Sequence, residues 1–209
     1  MTGVPRVLGI DEQGREVLTY LPGEVVDIDR EPLSQARLVA LVHWTRALHE
    51  ATAGFDQPGP WRIWPLPRPT LVGHNDVAAY NACFDGDELV GVFDWDLAGP
   101  TNPLLELGFL AWNGVPMWRV DLDPDDYAEV AARRLAVVAQ AYGGVSPVDV
   151  LHAVPERVQA MVDGIPRAAA SGDVGMANLI RTGTHAQDVA TLAELRRRVP
   201  AVERALRRG

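Results

Sequence analysis

Two acids and an amide lie close together in the stretch VGHNDVAAYNACFDGDELVGVFDWD, residues 72–96. Asp76 precedes Asn81 by five residues, and Asp94 follows an apolar segment that reads as a β-strand. Carboxylate and amide oxygens suit Mg²⁺, which keeps several waters and takes one or two carboxylates together with phosphate oxygens. The residue types therefore indicate a magnesium site of the kind that binds phosphate groups.

The segment between the amide and the second acid predicts a β-hairpin, because an Asp-Gly turn signal separates YNACF from LVGVF. If DGDE forms the loop, Phe84 pairs with Leu89, and Asn81 lies opposite Val92. Asp94 then lies two residues further on, at the same open end as the amide. The earlier acid is in the loop that enters this end, so hairpin arithmetic predicts that all three side chains share one region.

The rest of the chain must position this hairpin. RVLGI and REVLTYL predict two strands joined by a turn, and a helix is expected from about Pro32 to Ala53. Its apolar stripe consists of Leu38, Leu41, Val42 and Leu48. PLLELGFLAW predicts a short buried helix, and the chain is expected to be helical from Asp123 onward, with Pro200 interrupting the last helix. The predicted fold class is α+β, mostly α.

Composition narrows the class of protein. The 209 residues include a single cysteine, Cys83, no lysine and no long apolar run, and the first residues lack a signal-peptide pattern. These features favour the cytoplasm. A net charge of −9 disfavours nucleic acid as a partner and favours a cationic small-molecule substrate, and we expect no membrane association.

HNDVAAYN followed by VFDWD resembles the catalytic loop and metal-binding segment of the aminoglycoside phosphotransferase and choline kinase family, a branch of the protein-kinase-like superfamily. EVLTYLPGE resembles the last N-lobe strand and the hinge, and RALHE resembles the helix before the catalytic loop. NPLLELGFLAW resembles a further family segment, with Glu106 where an Asp is usual. The resemblance implies a kinase-like C-lobe in residues 24–209 and a remnant of the N-lobe sheet in residues 1–23.

The same resemblance implies roles for individual residues. Asp76 would be the catalytic base that accepts the proton of the substrate hydroxyl, and the cofactors would be Mg²⁺ with ATP or GTP. Asn81 and Asp94 would hold the metal. Two residues would have supporting parts: His74 would brace the loop, and Asp96 is either a second metal ligand or a solvated turn residue. The hinge backbone at Thr19, Tyr20 and Leu21 would bind the nucleotide base.

Two departures from the family pattern affect these expectations. Asn75 replaces the usual Gly, which is a mild change because Asn tolerates positive φ. The chain also begins at what resembles the fourth N-lobe strand, without the nucleotide-covering loop and the phosphate-binding lysine. We therefore expect an N-terminally truncated phosphotransferase with impaired transfer. Its first strands would have an open edge, which favours a homodimer through residues 1–21.

The expected reaction is transfer of the nucleotide γ-phosphoryl group to a hydroxyl of a small, amine-bearing molecule of the aminoglycoside type. Two other readings remain. The chain is alternatively a catalytically inactive kinase-like binding or scaffold module. VGVFDWDLAGPT also has the strand-then-Asp-x-Asp form of haloacid-dehalogenase-type phosphatases, in which Asp94 would be a nucleophile.

Overall fold

The computed structural model describes residues 2–208 except residues 29, 56–58, 60, 63, 65, 116 and 120–122, and the side chains of residues 124 and 125 are also outside the description. The described chain is mostly helical and has three two-stranded antiparallel sheets. The α+β class, mostly α, predicted from the sequence is thus confirmed. Among the described residues, no helix combines the length and the apolar character needed to cross a membrane.

The strands come early in the chain and most of the helices come late. The strands are β1 (Val7–Ile10), β2 (Glu16–Leu18), β3 (Leu71–Gly73), β4 (Ala82–Asp85), β5 (Glu88–Val92) and β6 (Gly99–Thr101). The helices are α1 (Gln35–Thr52), α2 (Pro103–Gly114), α3 (Pro124–Tyr142), α4 (Pro147–Ala170), α5 (Val174–Arg181) and α6 (Thr184–Arg208). The sheets pair β1 with β2, β3 with β6 and β4 with β5.

The N-terminal hairpin β1–β2 forms where two strands were predicted, but β2 ends at Leu18 rather than Leu21. One more backbone bond joins Thr19 N to Arg6 O at 2.9 Å. The next residue in register is Pro5, which has no N–H to donate, so the ladder stops there. Both strands are largely exposed, because no other strand or helix packs closely on them among the described elements.

The N-terminal hairpin is attached to hairpin β4–β5 at two points. Gly3 O accepts a hydrogen bond from Val92 N at 2.9 Å, which joins the chain before β1 to the end of β5. Glu24 and Phe84 exchange two backbone hydrogen bonds of 2.9 Å, which join the chain after β2 to β4. Residues 3 to 24 therefore form a segment that is held at both ends and exposed in its middle.

Helix α1 begins at Gln35, later than the predicted start at Pro32, because the Ser34 side chain accepts a hydrogen bond from Arg37 N and caps the helix. The predicted stripe of Leu38, Leu41, Val42 and Leu48 is fully buried. This face belongs to one hydrophobic core that also takes in hairpin β4–β5, α2, α3, α4 and α6.

The C-terminal helices enclose α2, which is buried along most of its length as predicted. The backbones of α2 and α4 meet at Gly108, where an added Cβ would lie 2.7 Å from Ala153 O. Helix α4 begins with a capping box formed by Ser146 and Asp149. The prediction that Pro200 interrupts the last helix is wrong, since α6 continues through it to Arg208.

Candidate active site

Hairpin β4–β5 positions the amide of the predicted site. Phe84 pairs with Leu89 as predicted, but a bulge follows, so that Ala82 rather than Asn81 lies opposite Val92. Asn81 instead accepts a backbone hydrogen bond from Phe93 N at 2.9 Å. The bulge adds one residue to β5, which is why arithmetic on an ideal hairpin placed the pair one position too early.

Asn75 fixes the backbone immediately before the predicted base. Its φ is 62°, so this Asn does adopt the positive φ expected for a residue in place of glycine. Its Nδ2 donates to Leu97 O at 3.2 Å and to Gly99 O at 3.1 Å, and its backbone N donates to Glu106 Oε1 at 2.8 Å. The residue is completely buried, and these bonds determine where the next side chain lies.

The Asp76 carboxylate has a defined set of partners. Asn81 Nδ2 donates to Asp76 Oδ2 at 2.8 Å, and the Tyr80 hydroxyl donates to Asp76 Oδ1 at 3.1 Å. Burial is the largest influence on this group and raises the pKa of Asp76 from 3.8 to about 6, against the opposing effect of these hydrogen bonds. The nearby charge of Asp94 also raises this pKa, which places the two acids in one electrostatic site.

His74 forms hydrogen bonds through both ring nitrogens. Its Nε2 lies 2.9 Å from Phe93 O, and its Nδ1 accepts from Asp76 N at 3.3 Å. Its ring packs edge-on against Trp95, with 4.7 Å between ring centroids. Burial lowers the pKa of His74, so the ring is neutral and donates through Nε2. The imidazole thereby ties the loop to the segment that follows β5.

Asp94 lies just after β5 and has left-handed backbone angles, with φ 63° and ψ 67°. The Asn81 amide nitrogen is committed to Asp76, which leaves Asn81 Oδ1 as the atom that can ligate a cation. Among the described residues, no three His, Cys, Asp or Glu side chains are grouped as a metal site. The donor set of Asn81 and Asp94 fits Mg²⁺ that completes its coordination with water and phosphate oxygens.

Asp96 has a different environment. Its carboxylate forms an ion pair with Arg62, whose Nε also bonds Asp173 Oδ2 at 3.0 Å. The Asp96 side chain is 70% exposed. The geometry therefore links Asp96 to the start of α5, where Asp173 caps the helix.

The predicted hinge residues lie beside β4. Thr19 uses its backbone N and its hydroxyl in bonds with Arg6, each 2.9 Å long. Leu21 O lies 3.8 Å from Cys83 Sγ, two residues from Asn81. Tyr20 lies between them with its side chain 83% exposed.

Two residues near the site were missed or only partly understood from the sequence. Arg157 of α4 is 3% exposed, and its Nη2 donates to Asn75 O at 2.7 Å. Its charge lowers the pKa of Asp76. Its position among the apolar residues Val154 and Val158 was the available signal, since an Arg on the buried face of a helix requires a partner.

Glu106, noted only as a departure from the family pattern, is completely buried and central to the site. Its Oε2 lies 2.7 Å from His49 Nε2, and His49 Nδ1 lies 2.8 Å from the Tyr142 hydroxyl. Burial opposes ionisation of Glu106, but the hydrogen bonds from His49 and Asn75 outweigh it and lower its pKa. Glu106 therefore carries a buried charge next to the loop that contains Asn75 and Asp76.

A cavity of about 540 Å³ opens beside Asp76 and Tyr80. Its walls come from α2, α4, α5, the start of α6 and the segments around Ile28, Trp64 and Trp118. Its size is that of a pocket for a small organic molecule. The arrangement can hold such a molecule against the Asp76 carboxylate.

Residues 61–148 match the family model of the phosphotransferase enzyme family. The matched segment contains β3, hairpin β4–β5 and α2, and it carries Asp76, Asn81 and Asp94. The resemblance inferred from the sequence is confirmed for this segment, which is similar to the phosphotransferase enzyme family.

The chain is also similar to the trifolitoxin immunity protein of Rhizobium leguminosarum bv. trifolii, with 32% identity over 121 residues. The aligned region covers 54% of this chain and 45% of the relative. The chain therefore matches less than half of the length of the trifolitoxin immunity protein.

Proposed function

We propose that this protein is a Mg²⁺-dependent phosphotransferase that moves the γ-phosphoryl group of ATP or GTP to a hydroxyl of a small molecule. The observation that carries the proposal is the position of Asp76. Asp76 lines a cavity large enough for a small substrate, and its carboxylate accepts a hydrogen bond from Asn81, one of the two candidate metal ligands. In this proposal residues 24–209 form a kinase-like C-lobe, and residues 1–23 contribute the hinge.

Asp76 acts as the general base. Its carboxylate accepts the proton of the acceptor hydroxyl, whose oxygen forms a bond to the γ-phosphorus as the bond to the leaving nucleoside diphosphate breaks. A pKa of about 6 keeps this carboxylate ionised at neutral pH and still basic enough to take a proton. Asn81 and Tyr80 hold its two oxygens in place.

The cation would be held by Asn81 Oδ1 and the Asp94 carboxylate, where Mg²⁺ supplies neutralisation of phosphate charge. Nucleotide base contacts would come from the backbone of Tyr20 and Leu21, because the Thr19 amide already bonds Arg6. A net charge of −9 supports a substrate that is not strongly anionic overall.

The test uses the protein as expressed, incubated with Mg²⁺ and γ-labelled ATP or GTP against a panel of hydroxyl-bearing amines and neutral alcohols. Transfer of label to an acceptor, lost in Asp76→Asn and kept in Asp96→Asn, is the expected result. Nucleotide binding without transfer to any acceptor would instead favour the inactive binding module.

A phosphatase of the haloacid-dehalogenase type predicts a different result in the same assay. In that reaction Asp94 would carry the phosphoryl group covalently, and phosphate would be released to water. A labelled Asp94 adduct would therefore overturn the proposal.

A further inference from the structure

The cavity beside Asp76 is lined mainly by apolar and aromatic side chains. The described apolar and aromatic residues of its wall include Phe109, Trp112, Met161, Ile165, Met176 and Leu179. They come from α2, α4 and α5 and leave a space of about 540 Å³. Such a wall stabilises a bound molecule chiefly by removing its apolar surface from water.

Four buried side-chain donor atoms that have no hydrogen-bond partner among the described residues belong to residues that line this cavity. Within the described part of the chain, Arg157 Nε and Nη1, Trp64 Nε1 and Trp118 Nε1 are buried and have no hydrogen-bond partner. All three residues line the cavity, and Arg157 is 3% exposed. A buried donor without an acceptor is costly, so the set is complementary to a ligand oxygen that accepts hydrogen bonds.

The acidic groups do not match a substrate with many amines. Among the described lining residues, the carboxylates are Asp76 and Asp188. The oxygens of Asp76 already bond Asn81 and Tyr80, and the buried guanidinium of Arg157 lies near enough to repel a second cation. A polyamine would find one free carboxylate and would meet a positive charge.

One wall of the cavity is shaped by the contact of Trp64 with α4. The Trp64 ring lies directly on Gly164, where an added Cβ would be 1.9 Å from the indole. The glycine thus lets the indole of Trp64, a residue of the cavity wall, approach the backbone of α4 closely. Trp64 adds an aromatic side chain to the wall, and its buried Nε1 has no hydrogen-bond partner within the described chain.

We infer that the acceptor substrate is a largely apolar, ring-bearing molecule whose hydroxyl faces Asp76 and whose carbonyl or carboxylate oxygen faces Arg157, rather than a polyamine. The inference rests on the proposed phosphotransferase function for the role of the hydroxyl. Binding itself depends only on the cavity.

The test is calorimetric binding without nucleotide, using three probes that share one ring system: methyl 6-hydroxy-2-naphthoate, 6-hydroxy-2-naphthoate and 6-(aminomethyl)-2-naphthol. The ester or the carboxylate is expected to bind at least about tenfold more tightly than the amine, because a charged donor without a partner gains an acceptor. Comparison of the ester with the carboxylate shows whether a neutral oxygen suffices. Equal or tighter binding of the amine would overturn the inference, as would failure of all three probes to bind.

Two variants on α5 distinguish blockage of the cavity from a general effect on folding. Leu179→Trp fills the cavity and should weaken the preferred probe by at least about tenfold, whereas Ile180→Trp on the same helix should change binding less than about twofold. Ile180 is 43% exposed and does not line the cavity. Equal effects of the two variants would place the probe elsewhere and refute the site.

Arg157→Lys tests the contribution of the guanidinium, because it keeps the positive charge and removes the planar set of N–H donors. It should lower affinity for the ester and leave the weak amine unchanged, in protein whose thermal unfolding is still cooperative. Parallel titration with Mg²⁺ and ATP separates the two proposals. Nucleotide binding without binding of either the ester or the carboxylate refutes only the substrate class. Binding of either probe without nucleotide binding refutes only the phosphotransferase.

Discussion

Glu106 Oε1 accepts a hydrogen bond from the backbone N of Asn75 at 2.8 Å, so a buried carboxylate supports the residue that precedes the proposed base. The second oxygen of Glu106 approaches β3 so closely that a Cβ added at Gly73 would lie 2.0 Å from it. The Glu106 side chain therefore depends on a glycine at position 73.

This relationship predicts coupling between the two positions. Gly73→Ala should destabilise the protein by at least about 2 kcal/mol through the clash, and Glu106→Asp by about 2–4 kcal/mol through lost contacts with His49 and Asn75. In urea unfolding, the double variant should be about 1 kcal/mol more stable than the summed losses of the two single variants predict. Gly9→Ala, with nothing within 4 Å of its Cβ, is the control and should be additive with Glu106→Asp.

The rate of phosphoryl transfer should depend on the ionisation of Asp76. Because burial raises the pKa of Asp76 to about 6, kcat should fall about tenfold per pH unit below that value and level off above it. Tyr80→Phe removes a hydrogen bond that lowers this pKa, so the acidic limb should move to higher pH. An acidic limb at the same pH in both proteins would contradict this assignment.

Asp76→Asn should stabilise the fold while it abolishes transfer. The raised pKa means that the folded protein binds more protons than the unfolded chain between about pH 4 and 6, so stability falls as pH rises through this window. Above pH 6 the ionised carboxylate therefore costs about 1–3 kcal/mol, which the neutral amide avoids. In urea titrations the difference between the variants should be largest at neutral pH and disappear below about pH 4. An Asp76→Asn variant that is less stable than the original protein at pH 7.5 would show that burial of the ionised carboxylate does not destabilise the fold.

Asp94 and Asp96 form a matched pair for testing the metal site. Asp94→Asn should weaken binding of Mg²⁺ with ATP at least about tenfold, and Asn tolerates the left-handed backbone at this position. Asp96→Asn loses only an exposed ion pair with Arg62 and should change binding less than about threefold. Isothermal titration of each variant with the nucleotide, at saturating Mg²⁺, distinguishes them. Equal losses would assign Asp96 to the metal as well.

The N-terminal hairpin should be the site of self-association. Val7, Leu8 and Ile10 are each more than 60% exposed, and exposed edge strands of this kind favour pairing with another strand. Sedimentation should show a dimer whose population rises with concentration and which Leu8→Lys with Ile10→Lys abolishes. Amides of β1 and β2 should exchange with solvent faster than those of β4 and β5. A monomer at all concentrations would refute pairing through these strands.

Local patterns were sufficient to predict the elements of the hairpin site. The hairpin turn after Asp85, the pairing of Phe84 with Leu89 and the positive φ at Asn75 follow from short-range chemistry, and the structure shows each of them. The loop is shorter than the predicted DGDE, because Asp85 pairs with Glu88. The bulge in β5 does not follow, because a single extra residue leaves the alternation of apolar side chains too short to fix the register.

Long-range contacts could not be predicted in the same way. Arg157 reaches the Asn75 carbonyl from a helix 82 residues later in the chain, and His49 meets Glu106 across 57 residues. Nothing in the local sequence identifies which helices will enclose the catalytic loop. The hydrogen-bond donors of the cavity beside Asp76 could therefore not be identified from the sequence alone.

The two attachments of the N-terminal segment connect the exposed hairpin β1–β2 to residues close to Asn81 and Asp94. Glu24 is bonded to Phe84, three residues after Asn81, and Gly3 is bonded to Val92, two residues before Asp94. A molecule that binds β1–β2 and changes the distance between Gly3 and Glu24 would act on both β4 and β5. In the proposed site, such a molecule would therefore change the spacing of Asn81 and Asp94, and with it the affinity for Mg²⁺.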